Sequence, residues 1–158
     1  MATLTAASMV AEALTRVRSL AIDEARACVG DPGTLWLDVR EPGEWRATGI
    51  VPGALTVPRG LLEFVVDPTS RWHRPAFAPA GRRVLVVCGI GWRSALAAEA
   101  LQRLGVPDVA HLDGGIEAWI AVGGPLVAWS PAAEGLPQAP VAASPPIPDR
   151  PDGAAGST

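Results

Sequence analysis

The chain has 158 residues, 49% of them hydrophobic, which is the size of one domain with enough apolar material for a core. A net charge of −3 and a pI near 5.3 exclude broad nucleic-acid binding, which needs a concentrated cationic face to displace counterions from phosphate. Cys28 and Cys88 are the only cysteines and His73 and His111 the only histidines, so neither a disulfide framework nor a zinc-ligand spacing emerges; a reducing compartment and no metal are expected.

Met1 to Val17 lacks the basic start and long apolar core of a signal peptide, and no apolar run approaches the roughly 20 residues that span a bilayer. A soluble, cytoplasmic protein with no membrane partner is expected. Within Ala6 to Arg18, the apolar residues Met9, Val10, Ala13, Leu14 and Val17 fall at helical spacing, so residues 1–18 are read as an N-terminal amphipathic helix that packs on the domain or on a partner. A short helix follows from Ile22, with Asp23 placed to cap it or to favour its N-terminus, and it stops at Gly30-Asp31-Pro32-Gly33. Cys28 lies in this segment with no chemical setting and is read as packing.

Leu35 to Val39 reads as a buried strand with Asp38 near its C-terminal end, broken by Pro42-Gly43. Ala54 to Val57 forms a second strand, Gly60 to Asp67 a short helix, and Ser70 to Gly81 an irregular loop. Val84-Leu85-Val86-Val87 is the clearest strand, four aliphatic residues suited to a central position covered on both faces, and it runs straight into Cys88. Ser94 to Leu104 is helical by spacing and closes at Gly105. Val109 to Leu112 is a further strand, followed by Asp113-Gly114-Gly115 and a helix to about Val122. Alternating strands and helices imply an α/β fold, with a mostly parallel sheet between helices. Residues 19–129 make up this domain. From residue 130 to 158 Pro, Ala, Gly and Ser dominate without apolar periodicity, and a disordered tail is expected.

Ligands of open α/β sheets collect outside the carboxyl ends of the strands, where Cys88 falls. Gly89 and Gly91 let the backbone curl so that amide N–H groups face inward as an anion-binding nest, and a helix N-terminus follows. Such a site favours thiolate over thiol and makes Cys88 a nucleophile. A persulfide on Cys88 would place its terminal anionic sulfur in the same cradle. The alternative, a buried cysteine acting as a small hydrophobe, does not account for the glycine-rich loop, Arg93 and the helix start that follow.

Four segments together resemble a known family. Asp38-Val39-Arg40-Glu41-Pro42-Gly43-Glu44-Trp45 and Gly49-Ile50-Val51-Pro52-Gly53-Ala54 look like the first two signatures of rhodanese-like domains. Cys88-Gly89-Ile90-Gly91-Trp92-Arg93-Ser94 resembles the active-site loop of that family, and Gly114-Gly115-Ile116-Glu117-Ala118-Trp119 its closing motif. The resemblance covers about residues 19 to 124. It implies a five-stranded parallel sheet flanked by helices on both faces, no cofactor, and a Cys88 persulfide that carries sulfane sulfur from thiosulfate or a low-molecular-weight persulfide to cyanide or a thiol. Asp38 and Arg40, joined by Glu44, would brace the loop, and Arg93 would hold it more than it touches substrate. A homodimer or a protein sulfur acceptor is compatible with this reading.

Two positions depart from the family pattern. Ile50 stands where many relatives carry histidine, in a turn where its loss should spare the chemistry. Gly89 stands where thiosulfate-using relatives often carry arginine, and Trp92 adds a bulky rim; replacement charge would have to come from Arg59, Arg71, His73 or Arg74. Two other function classes are weighed against sulfur transfer. A phosphatase or arsenate reductase of the related cysteine-loop type uses Cys-x5-Arg, one residue longer than Cys88 to Arg93. A non-catalytic interaction module would be marked by loss of the cysteine, which this chain retains.

Overall fold

The computed structural model describes residues 3–131. In chain order its elements are α1 (Ala6–Leu14), β1 (Arg18–Leu20), α2 (Ile22–Arg26), β2 (Thr34–Asp38), α3 (Pro42–Thr48), β3 (Leu55–Thr56) and a 3-10 turn (Arg59–Leu61) leading into α4 (Leu62–Val66). A second 3-10 turn (Pro75–Phe77), β4 (Arg83–Val87), α5 (Trp92–Arg103), β5 (Val109–Leu112) and α6 (Gly115–Ala121) complete the order. The five strands form one sheet in the order β1-β5-β4-β2-β3, and every pairing is parallel.

β4 is central because its side chains satisfy both faces. Val84 and Val86 join the core beneath α4 and α5, whereas Leu85 and Val87 join a second core with Leu20, Ala25, Ile116 and Trp119 on the side of α2 and α6. Helices therefore cover both faces, as the sequence resemblance implied. α1 lies outside α5, with Val10 and Ala13 packed against Ala95. No helix among the described residues is long and apolar enough to cross a membrane.

Several local expectations are corrected. The first helix ends at Leu14, short of Arg18, because Arg18–Leu20 leaves the helical path to pair with Ala110–Leu112 as the edge strand β1. The strand does end before Pro42-Gly43, but the pair also opens α3, a helix not expected there: proline needs no amide hydrogen in the first turn, and Glu41 and Glu44 form a reciprocal capping box. Asp23 does not cap α2, whose N-cap is Ala21; it sits in the first turn, where its charge favours the helix end. Cys28 lies beyond α2, and its thiol donates to the Glu24 carbonyl at 3.6 Å. α5 begins at Trp92, two residues ahead of the expected start. The segment after α6 returns to the domain, where Val127 bridges Ile50 and Trp129 packs on Trp45 with ring centroids 5.2 Å apart. The expected tail from residue 130 lies, from residue 132 onward, outside the described residues.

Candidate active site

The strand-to-helix passage from β4 to α5 is short. Val87 ends the strand, Cys88 follows, and α5 begins at Trp92 with Gly91 as its N-cap. Gly91 has φ of +103°, a conformation that side-chain-bearing residues avoid, and a Cβ there would meet only ordinary contacts. Backbone geometry, not space, therefore calls for glycine at this position. The turn aims two amides at the sulfur: Gly91 N and Ser94 N each donate to Cys88 Sγ at 3.2 Å. Ser94 Oγ lies 3.4 Å from the same sulfur. Cys88 is fully buried, while Ile90 and Trp92 on the rim of the loop are half-exposed.

The opposite side of the loop is held by α6. Ile116 N donates to Cys88 O at 2.8 Å and Glu117 N to Gly89 O at 3.0 Å, so the carbonyls of these two loop residues are bound by the first turn of that helix. This contact needs Gly115, where a Cβ would stand 2.4 Å from Gly89 O and 2.6 Å from Cys88 O. With its carbonyls taken up by α6, the loop leaves amide hydrogens to converge on sulfur, the concave arrangement that stabilises an anion.

Arg93 clasps Glu44, Nη1 to Oε2 and Nη2 to Oε1, both at 2.7 Å. This fork holds the Glu44 carboxyl well below its usual range, at about 2, and raises the Arg93 guanidinium. Gly89 sits beneath the fork, where a Cβ would lie 3.0 Å from Arg93 Nη2. Asp38 and Arg40 lie one layer further in. Both are buried, and Arg40 Nη2 donates to Asp38 Oδ2 at 2.7 Å and to Gly49 O at 2.9 Å, while Arg40 Nη1 reaches Thr48 Oγ1 at 2.8 Å. Trp45 Nε1 donates to Asp38 Oδ1 at 3.1 Å. The Asp38–Arg40 pair thus fastens α3 to the end of β2, and α3 presents Glu44 to Arg93. Its connection to the loop runs through that helix and not through a direct bond.

Sequence reasoning missed His111. The imidazole is buried between β5 and α5, with Nδ1 3.1 Å from Ser94 Oγ and Nε2 2.8 Å from Ser19 Oγ. Burial lowers its pKa, partly opposed by Asp113. One signal was available: a lone histidine in an otherwise apolar strand must find buried partners, and Ser94 and Ser19 are polar residues in neighbouring elements. Three of the four loop cations considered as replacement charge are occupied elsewhere. Arg59 pairs with Glu63, Arg71 lies over Trp72, and His73 Nδ1 is 3.0 Å from Val65 O. Among the described residues no group of three or more His, Cys, Asp or Glu could hold a metal ion.

Residues 21–122 match the model of the rhodanese-like domain. A sulfurtransferase of Allochromatium vinosum is 36% identical over 94 residues, which are 60% of this chain and 78% of that protein. The probable adenylyltransferase/sulfurtransferase MoeZ of Mycobacterium tuberculosis is 36% identical over 83 residues, 52% of this chain, and the matched part spans only 19% of that longer protein. Among solved structures, a Rhodopseudomonas palustris protein of unknown function, described as a possible tyrosine phosphatase, superposes with a TM-score of 0.76 at 35% identity, covering 80% of this chain and 97% of that one. The thiosulfate sulfurtransferase of Pseudomonas aeruginosa superposes with a TM-score of 0.56 at 27% identity, covering 71% of this chain and 19% of that one.

Proposed function

Because this chain belongs to the rhodanese-like family, we propose that it is a sulfurtransferase in which Cys88 accepts sulfane sulfur as a persulfide and passes it to a thiophilic acceptor. The observation that carries the reading is the convergence of Gly91 N and Ser94 N on Cys88 Sγ at 3.2 Å. The Cys88 thiolate attacks the outer sulfur of a donor R–S–S⁻. An S–S bond forms, R–S⁻ leaves, and the enzyme holds Cys88–S–S⁻. An acceptor nucleophile, cyanide or a thiolate, then attacks the terminal sulfur, and the Cys88 thiolate departs with the electron pair. Sulfur moves between nucleophiles without net oxidation, so the cycle requires no organic cofactor.

Geometry favours a low-molecular-weight persulfide over thiosulfate as donor. A dianion needs cationic partners. Here Gly89 supplies none, and the guanidinium of Arg93 is held in a bidentate pair with Glu44. Ile90 and Trp92 instead give the mouth an apolar rim that suits the organic part of a persulfide. The same pairing weighs against phosphatase chemistry, in which the arginine of a longer Cys-x5-Arg loop would have to clamp the oxyanion. The two free cysteines suit a reducing, cytoplasmic setting.

The test is intact mass of wild type and Cys88→Ser, before and after thiosulfate and separately glutathione persulfide, with cyanide added last. The expected result is a one-sulfur gain that requires Cys88, is larger with the persulfide, and is removed by cyanide. No gain from either donor, in folded protein with Cys88 reduced, would overturn sulfur transfer and favour a binding module.

A further inference from the structure

The thiol of Cys88 is fully buried, so its proton needs a route to solvent. A continuous line of polar groups leads from it toward the edge of the sheet. Cys88 Sγ is 3.4 Å from Ser94 Oγ, which is 3.1 Å from His111 Nδ1; His111 Nε2 is 2.8 Å from Ser19 Oγ. Ser19 lies on the exposed edge strand β1, directly paired with His111 of β5. We propose that Ser94, His111 and Ser19 form a proton relay between the Cys88 thiol and solvent at the sheet edge.

The chemistry of each member fits the task. Both imidazole nitrogens face hydroxyls, and a hydroxyl can donate or accept, so either neutral tautomer of His111 is fully hydrogen-bonded. With Cys88 protonated, Sγ–H points to Ser94 Oγ, the Ser94 hydroxyl donates to Nδ1, and Nε2–H donates to Ser19. When the S–H bond breaks, its proton passes to Ser94 Oγ, the Ser94 proton to Nδ1, the Nε2 proton to Ser19 Oγ, and the Ser19 proton to a solvent base. The relay ends with a thiolate, a hydroxyl turned toward it, and His111 neutral in the other tautomer. One proton has left, and no imidazolium is stranded in the interior. Burial disfavours the charged ring, which is consistent with tautomer exchange rather than charge storage. The Gly91 carbonyl, 3.2 Å from Ser94 Oγ, offers the hydroxyl a resting partner when the relay is idle.

The groups facing His111 leave Cys88 as the titrating partner that could drive the switch. Ser94 of α5, Ser19 of β1 and Val86 of β4 are uncharged, and Asp113, two residues beyond the ring, acts on it through its charge alone. In this scheme Ser94 is the group that touches the reacting sulfur, and His111 is a positioning residue that acts through it. The proposal rests on Cys88 being the working nucleophile, and its test does not depend on sulfur transfer.

Imidazole nitrogen NMR of the full chain distinguishes the tautomers, and His73→Gln leaves His111 as the only histidine signal. The spectra are followed across the pH range in which ultraviolet absorbance reports thiolate formation. The expected result is an interchange of the Nδ1 and Nε2 signals of His111 with the same midpoint as the thiolate, lost in Cys88→Ser and in Ser94→Ala. A ring that keeps one tautomer while the thiolate forms would overturn the relay. An interchange that persists in Cys88→Ser would also overturn it. Either result leaves the mass experiment on sulfur loading unaffected, so the two readings fail separately.

Discussion

Gly115→Ala tests whether α6 shapes the cysteine loop. Gly115 has φ of +63°, and a left-handed alanine costs about 1 to 2 kcal/mol. Its Cβ would also stand 2.4 Å from Gly89 O, so α6 and the loop must separate by about 1 Å to restore ordinary contact. That displacement breaks Ile116 N–Cys88 O and Glu117 N–Gly89 O, each worth about 1 kcal/mol. The sum is about 3 to 4 kcal/mol, within the 5 to 15 kcal/mol that holds a typical domain, so the variant remains folded. Gly30→Ala is the control, because Gly30 has φ of +76° and no heavy atom within 4 Å of an added Cβ; it should lose only the conformational part. Urea denaturation followed by tryptophan fluorescence gives both values, and iodoacetamide alkylation of Cys88 reports the loop. Equal losses in the two variants, with alkylation unchanged in Gly115→Ala, would refute the claim that the loop is propped by this helix.

Two further substitutions probe the supports behind the loop. Asp38→Asn leaves the guanidinium of Arg40 buried without its counterion and should cost about 3 to 5 kcal/mol in denaturant unfolding, far more than an exposed carboxylate would. Glu44→Gln should act through pH. The carboxyl titrates at about 2 when folded against 4.5 otherwise, so its contribution is present above about 4.5 and is lost as pH falls toward 2. Glu44 and Arg93 are 37% and 41% exposed, and screening reduces the contribution to about 1 kcal/mol. Stability curves of wild type and Glu44→Gln should therefore differ by that amount at neutral pH and converge in acid; a constant gap would argue against the ion pair as its source.

The sheet and the cysteine loop were legible in the sequence for different reasons. Val84–Val87 announces a central strand by its unbroken aliphatic run, and the glycines after Cys88 announce a tight turn. β1 and α3 were not legible. Arg18–Leu20 is too short to show an alternation, and it becomes a strand only because β5 offers an open edge. In α3 the Pro-Gly pair outweighed a capping box whose reciprocal bonds are clear only in three dimensions. The partnership of Arg93 with Glu44, 49 residues apart, and the line from Ser94 through His111 to Ser19 are products of tertiary folding, which no local pattern encodes.

Because the sulfur is cradled by main-chain amides and the loop is gripped from behind by the α6 backbone, the outward side chains of Ile90 and Trp92 take no part in building the cradle. Under the proposed function, recognition and reactivity would be carried by separable parts of the same short segment. Selection, or an engineer, could then rewrite those two positions and leave the main-chain cradle beneath them intact.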